Sequence, residues 1–320
     1  MLNLRPPAPS ILDLVGNTPM VELRRVVPPG SAHIFVKLEF LSPGGSVKDR
    51  IGVGMIRAAE EAGLISPGAT LIEPTAGNTG VALALAGVQL GYRVMLVVPE
   101  NFSVEKRELM KALGGEVVLT SADDGMKGAI DKAQELSRSI PGSWVPQQFR
   151  NRFNSDAHYR TTGPEIWEQL AGKVDGWVAG AGTGGTFTGT ARYLKEQNPE
   201  LHAVVVEPQG SVFQGGDAGP HEVEGIGSSF IPDVLDLDLA SDVIMVPDPP
   251  AFAMVARLAR EEGILSGSSG GANVVAALQL AAKLGEGRNV VTLIPDSAER
   301  YLSKQIFTRW AAEGEADPTE

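Results

Sequence analysis

The sequence has 320 residues, of which 43% are hydrophobic, and this is enough apolar material for a large buried core. The formal net charge of −12 argues against nucleic acid or an anionic membrane as a partner, because both bind basic surfaces. The absence of cysteine excludes disulfides, zinc–thiolate sites and iron–sulfur clusters, and we predict no metal site.

Short apolar segments alternate along the chain with longer segments of helical periodicity, which is the pattern of an α/β protein with parallel strands. We predict strands at residues 33–39, 70–73, 94–98, 116–119, 176–179, 203–206, 243–245 and 290–294. We predict helices at residues 48–61, 78–90, 105–113, 249–262 and 272–284.

The lobe boundary falls by our prediction within residues 145–155. This gives an N-terminal α/β lobe of residues 1–150 and a C-terminal α/β lobe of residues 151–320, with an acidic tail from about residue 311. We expect the residues before about 42 to cross to the C-terminal lobe.

The first unusual loop, the lysine loop, spans residues 43–50 and places two glycines before Lys48 at the mouth of a predicted helix. A cation is electrostatically disfavoured at a helix N-terminus, so this position favours a neutral amine, the form that makes a Schiff base. The alternative is a solvated lysine that pairs with Asp49 or another nearby acid.

The second loop, the asparagine loop, spans residues 73–80 between a predicted strand and a predicted helix. Its small and hydroxylated residues can form a carboxylate cradle at the helix N-terminus, and Asn78 suits a phenolic oxygen or a carboxylate. The alternative is an ordinary turn that Thr75 or Asn78 caps.

The third loop, the glycine loop, spans residues 180–186 and contains four glycines and two threonines before a helix expected from Phe187. This composition predicts a phosphate-binding cup. Its glycine spacing also satisfies the dinucleotide fingerprint, and Glu207 lies where a ribose-binding acid is expected, so an NAD-dependent oxidoreductase is a rival reading. The oxidoreductase interpretation gives no role to Lys48 or to the asparagine loop.

Together the three loops resemble the cysteine synthase and cystathionine β-synthase family, whose members are pyridoxal-phosphate enzymes of the tryptophan-synthase-β type (PLP fold type II). The similarity extends from residues 11–19 to residues 307–310, and the motifs stand in the family's order and spacing. The resemblance implies two three-layer α/β lobes with mostly parallel, twisted sheets.

The resemblance also implies a role for each matching residue. Lys48 holds pyridoxal 5′-phosphate covalently and moves the α-proton, Asn78 bonds the cofactor's 3′-oxygen, and Ser269 faces the pyridine nitrogen. The phosphate is expected at Gly182, Thr183, Gly184, Gly185 and Thr186. The substrate carboxylate is expected among Thr75, Ala76, Asn78, Thr79 and Gln148, and Gly225 belongs to a loop that closes over the substrate amine.

One residue departs from the family's pattern, because Ala76 stands where serine is usual. The loss of one neutral hydrogen bond changes binding by about 0.5–1.5 kcal/mol, so activity can survive. The change can also tune which leaving group or thiol is accepted.

A neutral hydroxyl at Ser269 favours β-replacement over transamination or racemisation, because it does not stabilise a fully protonated pyridine ring. The sequences of residues 222–232, 295–297, 301–304 and 210–212 favour a cystathionine β-synthase type, in which homocysteine replaces the leaving group of serine or an O-activated serine. The alternatives are a cysteine synthase that uses O-acetylserine or O-phosphoserine with sulfide, and a silent relative, against which Lys48 argues.

The partners implied are small-molecule amino-acid and thiol substrates and, by resemblance, a second copy in a homodimer. No apolar run approaches the roughly 20 residues that cross a bilayer, and the N-terminal residues lack the pattern of a secretion signal. We therefore expect a cytoplasmic protein without a membrane partner.

Overall fold

The structure, a computed structural model, describes residues 6–75 and 77–308. Ala76 and the predicted acidic tail from about residue 311 lie outside the described residues. Within them the strands are β1 (Met20–Leu23), β2 (His33–Leu38), β3 (Thr70–Pro74), β4 (Arg93–Pro99), β5 (Glu116–Thr120), β6 (Gly176–Gly180), β7 (His202–Pro208), β8 (Asp242–Val246) and β9 (Asn289–Ile294).

The described strands form two sheets. The larger has six strands in the order β1-β2-β9-β6-β7-β8, in which β1 is antiparallel to β2 and the other pairs are parallel. The smaller has three parallel strands in the order β3-β4-β5. Both β1 and β2 therefore lie in the sheet that is otherwise built from residues after 175.

Helices cover both faces of each sheet. They are α1 (Lys48–Glu61), α2 (Asn78–Gln89), α3 (Val104–Ala112), α4 (Gly125–Ser139), α5 (Phe153–Arg160), α6 (Thr162–Gln169), α7 (Gly185–Gln197), α8 (Asp248–Arg257) and α9 (Ser268–Leu284). The large sheet packs α8 and α9 on one face and α6 and α7 on the other. The small sheet packs α1 and α2 against one face and α4 against the other.

Neighbouring residues of each central strand enter different cores, as the alternation of side chains along a strand requires. In β7, Val204 and Val206 face the α8–α9 layer, whereas Ala203 and Val205 face the α6–α7 layer. The predicted fold class, two three-layer α/β lobes with mostly parallel sheets, is confirmed. The division of the chain at about residue 150 stays a prediction.

All eight predicted strands are present, with ends within two residues of those expected. Helix α1 has the predicted bounds, whereas α9 begins four residues earlier than expected and α7 begins at Gly185 instead of Phe187. The sequence analysis missed β1, α4, α5 and α6. Helix α5 lacked an apolar stripe because its buried face includes Asn154, Ser155 and His158.

A buried ionic cluster joins the N-terminal segments to the large sheet. Arg50 of α1 donates to Glu39 (2.7 and 2.9 Å) and to Glu165 of α6 (2.7 and 2.8 Å). Lys37 of β2 lies 2.7 Å from Glu165 Oε2, which also accepts from Arg50. Burial alone would raise the pKa of Glu165, but the contacts with Arg50 and Lys37 lower it to about 2. The cluster fixes the start of α1, where Lys48 lies.

None of the helices that the structure describes is long and apolar enough to span a membrane. The homodimer and the cytoplasmic location stay predictions.

We predict that Arg50→Met lowers the free energy of unfolding by about 3–5 kcal/mol, because it removes the ion-pair partner of the buried Glu39 carboxylate. Denaturant unfolding followed by circular dichroism measures the change. The matched control is Arg57→Met on the same helix, whose side chain is 55% exposed in its pair with Glu60. The control should cost less than about 1 kcal/mol, and equal losses in the two variants would contradict the prediction.

Candidate active site

The C-terminal ends of β3, β6 and β9 meet beside a cavity of about 370 Å³, a volume typical of small-molecule sites. Residues of all three loops line it. The predicted site residues in its wall are Lys48, Thr75, Asn78, Thr79, Gln148, Gly182, Thr183, Thr186, Gly225 and Ser269. Gly184 and Gly185 form the turn behind this wall, and Ala76 lies outside the described residues.

The glycine loop is packed so closely that side chains at its glycines would collide with their neighbours. Gly184 has φ +85°, a left-handed conformation that glycine adopts without strain. A Cβ at Gly182 would lie 2.5 Å from the carbonyl oxygen of Gly225, and one at Gly185 would overlap the amide of Asn154. The loop delivers the chain into α7 with no capping side chain at Gly184. The free N–H groups of this helix N-terminus suit an anion.

Two buried side chains that the sequence analysis missed support the loop's hydroxyls. Asn154 donates from Nδ2 to Thr183 Oγ1 (3.0 Å), so the proton of that hydroxyl is available to a ligand. His158 Nε2 lies 3.2 Å from Thr186 Oγ1. Burial, together with the charges of Arg50 and Lys48, lowers the pKa of His158 well below its ordinary value, so the ring is neutral. Both residues belong to α5, which gave no sequence signal.

Lys48 is the first residue of α1 and is half-buried in the cavity wall. Burial lowers the pKa of its amine to about 8, and the charge of Asp296 offsets part of this effect. Asp49 Oδ2 accepts the N–H of Gly44 (2.6 Å), and no ion pair joins Asp49 to Lys48 among the described residues. Lys48 is therefore not a solvated lysine paired with Asp49, and at pH 7 about one amine in ten is neutral.

A clamp of two charged residues fixes the amide of Asn78. Its Nδ2 donates to Asp296 Oδ2 (2.6 Å), and its Oδ1 accepts from Arg300 Nη1 (2.6 Å). Arg300 also donates to the carbonyl oxygen of Gly44, and Tyr301 donates its hydroxyl proton to Asp296. One N–H of the Asn78 amide remains for a ligand. Asn78 is the first residue of α2, so it does not cap that helix.

Hydrogen-bond donors gather at the other side of the asparagine loop. Thr79 Oγ1 donates to Gln148 Oε1 (2.7 Å), which turns the Gln148 amide so that Nε2 is its free end. Gln148 is 5% exposed and lines the cavity. Thr75 Oγ1 accepts the N–H of Gly77 (3.3 Å), which leaves its own proton for a ligand. This donor set is suited to a carboxylate.

Ser269 and Gly225 face each other across the cavity wall. Ser269 lies in the first turn of α9, and a Cβ built on Gly225 would be 4.0 Å from its hydroxyl oxygen. The neighbouring hydroxyl of Ser268 accepts the N–H of Glu224 (3.0 Å), and Asp248 accepts the N–H of Val223 (3.1 Å). Residues 222–227 are thus anchored to α8 and α9.

A charged cluster, here called the mouth cluster, consists of Lys106, Glu224, Tyr301 and Lys304. Lys106 of α3 is 4% exposed, and its Nζ lies 3.2 Å from Glu224 and 4.4 Å above the centre of the Tyr301 ring. Lys304 forms a second ion pair with Glu224. Lys106 and Glu224 line the same cavity as Lys48. The sequence analysis did not assign these residues to the site, although it had noted the segments of Glu224, Tyr301 and Lys304 as similar to the family.

The acid required by the dinucleotide reading is already used by the protein. Glu207 is buried, and its two oxygens accept the N–H groups of Phe213 (2.8 Å) and Gln214 (3.1 Å). It stabilises the loop after β7, so it is not free to bind a ribose. The oxidoreductase alternative was therefore wrong about Glu207.

Comparisons with known proteins agree with this geometry. Residues 11–296 match the family described as pyridoxal-phosphate dependent enzyme. The chain is 48% identical to the O-acetylserine dependent cystathionine beta-synthase of Bacillus subtilis (strain 168), over 93% of this chain and 97% of that protein. It is 46% identical to a cysteine synthase of Staphylococcus aureus (strain Mu50 / ATCC 700699), over 94% of this chain and 98% of that protein.

A similar structure has also been solved. The O-acetylserine dependent cystathionine beta-synthase from Helicobacter pylori matches with a TM-score of 0.91 and 45% identity, covering 95% of this chain and all of that one. The cavity residues fit the cofactor, since an uncapped helix N-terminus suits its phosphate and an amine of lowered pKa suits its aldehyde. The chain belongs to the family of pyridoxal-phosphate dependent enzymes.

Proposed function

We propose that this enzyme replaces the β-substituent of an O-activated serine with the thiol of homocysteine and so forms cystathionine. The observation that carries the choice of acceptor is the mouth cluster, which holds both signs of charge in the wall of the cavity. Homocysteine brings an ammonium and a carboxylate, which match Glu224 and the two lysines. Sulfide has neither group and requires no such cluster.

The bound cofactor supplies an electron sink for the α-carbon of the substrate. We assign its phosphate to the N-terminus of α7 and to the hydroxyls of Thr183 and Thr186. The free N–H of Asn78 would hold the 3′-oxygen, and the hydroxyl of Ser269 would hold the ring nitrogen. A neutral donor at the ring nitrogen favours loss of the β-substituent over transamination.

Lys48 has two roles in this proposal. Its neutral amine would hold the cofactor covalently, and the same amine would take the α-proton of the substrate and later return it. The position of Lys48 at the start of α1 keeps Nζ beside the cofactor throughout, because the buried ionic cluster of Arg50 fixes this helix end.

We assign the substrate carboxylate to the hydroxyl of Thr75, to Nε2 of Gln148, which Thr79 orients, and to the backbone N–H of Thr79 in the first turn of α2. These side chains are buried and are already oriented by hydrogen bonds within the protein, so little ordering is needed when the substrate binds. Gly225 lies across the cavity from them, where the amine of the substrate would be covered.

The names of relatives support two acceptors. The Bacillus subtilis and Helicobacter pylori proteins are named for O-acetylserine dependent cystathionine synthesis, which favours homocysteine. The Staphylococcus aureus relative is named cysteine synthase, which makes sulfide the second candidate. The mouth cluster favours the first.

The deciding experiment offers the holoenzyme O-acetylserine together with homocysteine or with sulfide and identifies the products by mass spectrometry. We expect cystathionine to form with a kcat/KM at least tenfold above that for cysteine formation. Turnover with sulfide alone would make the protein a cysteine synthase.

We predict that Glu224→Gln raises the KM for homocysteine about tenfold, because the acceptor loses one charge-assisted contact. The KM for sulfide and for O-acetylserine should change less than twofold. The matched control is Glu299→Gln, an exposed carboxylate in the same C-terminal segment as Lys304. A parallel rise in KM for both acceptors would place Glu224 outside the acceptor site.

We predict that the rate of cofactor incorporation into the apoprotein rises with pH and levels off above about 8. The pKa of the Lys48 amine is lowered to about 8, so its neutral, reactive fraction grows about tenfold per pH unit below that value. The appearance of the visible absorbance band measures the rate. Lys48→Ala should give no such band and no turnover, and a variant that kept both would remove Lys48 from its assigned role.

We predict that Gly185→Ala weakens cofactor binding at least tenfold. The added methyl would displace Asn154, which holds both Thr183 Oγ1 and the carbonyl oxygen of Gln148. Titration of the apoprotein with cofactor, followed by absorbance, gives the dissociation constant. Gly219→Ala is the control, since Gly219 is exposed and a Cβ there meets its nearest neighbour at 3.5 Å. Unchanged affinity in Gly185→Ala would argue against the glycine loop as the phosphate site.

A further inference from the structure

Glu73, near the end of β3, is a buried acid whose carboxylate is used to hold the backbone of another segment. It is 1% exposed, and its oxygens accept the N–H groups of Gln147 (2.9 Å) and Gln148 (3.1 Å). Burial and these two hydrogen bonds account for its shifted pKa, and no cation among the described residues contributes to the shift. A buried charge without a cationic partner is costly to maintain, which points to a functional reason for its presence.

The segment that Glu73 holds is strained. Gln147 has φ +56°, a left-handed conformation that costs a residue with a side chain energy and persists only where its surroundings enforce it. The carbonyl oxygen of Gln147 accepts the N–H groups of Arg150 (2.8 Å) and Asn151 (2.9 Å), so the turn is held on both sides. Asn154 donates to the carbonyl oxygen of Gln148 (2.8 Å).

The direction of the Gln148 side chain depends on this turn. With both Gln148 backbone groups held by Glu73 and Asn154, its amide meets Thr79 and presents Nε2 to the cavity. A relaxed Gln147 would change the backbone at Gln148 and turn the amide away from Thr79. The same network ends at Thr183 of the glycine loop, because Asn154 also donates to its hydroxyl.

We propose that Glu73 is a positioning residue for the substrate: its carboxylate enforces the strained turn at Gln147 and thereby aims Gln148 at the carboxylate of the amino-acid donor. This inference rests on the assignment of Gln148 to the substrate carboxylate in the proposed function. Glu73 touches neither substrate nor cofactor and acts through the backbone of residues 147–148.

The proposal has a pH signature. Burial raises the pKa of Glu73 to about 7, although the two backbone N–H groups oppose the rise. As the pH falls through this value, the protonated oxygen becomes a poorer acceptor and one N–H of the turn loses its partner. Donor affinity should therefore fall as the pH falls from 8 to 6.

Other charged groups lie near the turn and have to be separated from Glu73 in the test. Arg138 of α4 and Arg150 line the adjoining cavity with Glu73. On the active-site side, the titratable groups in the cavity wall are Lys48, Lys106, His221, Glu224 and Asp296. A variant that removes only the titration of Glu73 distinguishes its effect from theirs.

The experiment measures the binding of L-serine and of L-serine methyl ester to the holoenzyme by the change in cofactor absorbance between pH 6 and pH 8. Because the amines of both ligands titrate whatever the protein, affinities are compared as the ratio of wild type to Glu73→Gln. We expect this ratio for L-serine to be about tenfold larger at pH 8 than at pH 6, and the ratio for the ester, which lacks the carboxylate, to stay near one. In Glu73→Gln we expect weak binding of L-serine at both pH values and ester binding close to that of the wild type. Glu200→Gln, which alters an exposed carboxylate, is the control.

Equal losses for L-serine and its ester in Glu73→Gln would overturn the proposal, because they would indicate general damage to the site. A ratio for L-serine that does not change between pH 6 and pH 8 would also overturn it. The readout is binding, so it stands apart from turnover. A protein that bound L-serine as expected but formed neither cystathionine nor cysteine would refute the proposed function and leave the role of Glu73 supported.

Discussion

Four helix N-termini converge on one cavity, and two of these helices, α2 and α7, follow directly from the C-terminal ends of β3 and β6. Lys48, Asn78, Gly185 and Ser269 lie in the first turns of α1, α2, α7 and α9. Each helix start brings unsatisfied N–H groups and a partial positive charge. Such a place favours anions, which accounts for the proposed phosphate and carboxylate sites, and it disfavours a cationic lysine. The chemistry proposed for this protein follows from that geometry.

The positive environment is balanced by a small number of buried acids, each with a different partner. Asp296 receives the amide of Asn78 and the hydroxyl of Tyr301 and acts on the charge of Lys48. Glu39 and Glu165 are paired with Arg50, so their charges stabilise the fold. Within the part of the chain that the structure describes, Glu73 has only backbone partners, and burial raises its pKa to about 7. A carboxylate in that state destabilises the folded protein as the pH rises from its unfolded pKa to 7, because the folded state binds the proton more tightly. Its retention therefore has to be explained by what it positions.

The sequence was informative where function depends on local composition. The glycines and threonines of residues 180–186 predicted an anion site, because a closely packed loop with free N–H groups is determined by a few consecutive residues. The residues that orient the site were not predictable in this way. Asp296 and Arg300 meet Asn78 across more than 200 residues of sequence, and such pairs leave no local pattern. Helix α5 was missed for a related reason, since its buried polar face serves the site and breaks the apolar periodicity that reveals a helix.

The mouth cluster joins segments that belong to the two sheets of the protein, at the place where we propose that the second substrate binds. Lys106 comes from α3, beside the three-stranded sheet, whereas Glu224, Tyr301 and Lys304 belong to segments after the larger sheet's β7 and β9. An acceptor that carried both charges would form its own ion pairs with these residues in place of the present ones. Binding of the acceptor would then be coupled to the separation of Lys106 from the segments that carry Glu224 and Lys304. Sulfide offers nothing to replace the ion pairs. The buried position of Lys106 supports the proposal that the second substrate is an amino acid, and under that proposal the acceptor is selected by contacts between segments of the two sheets.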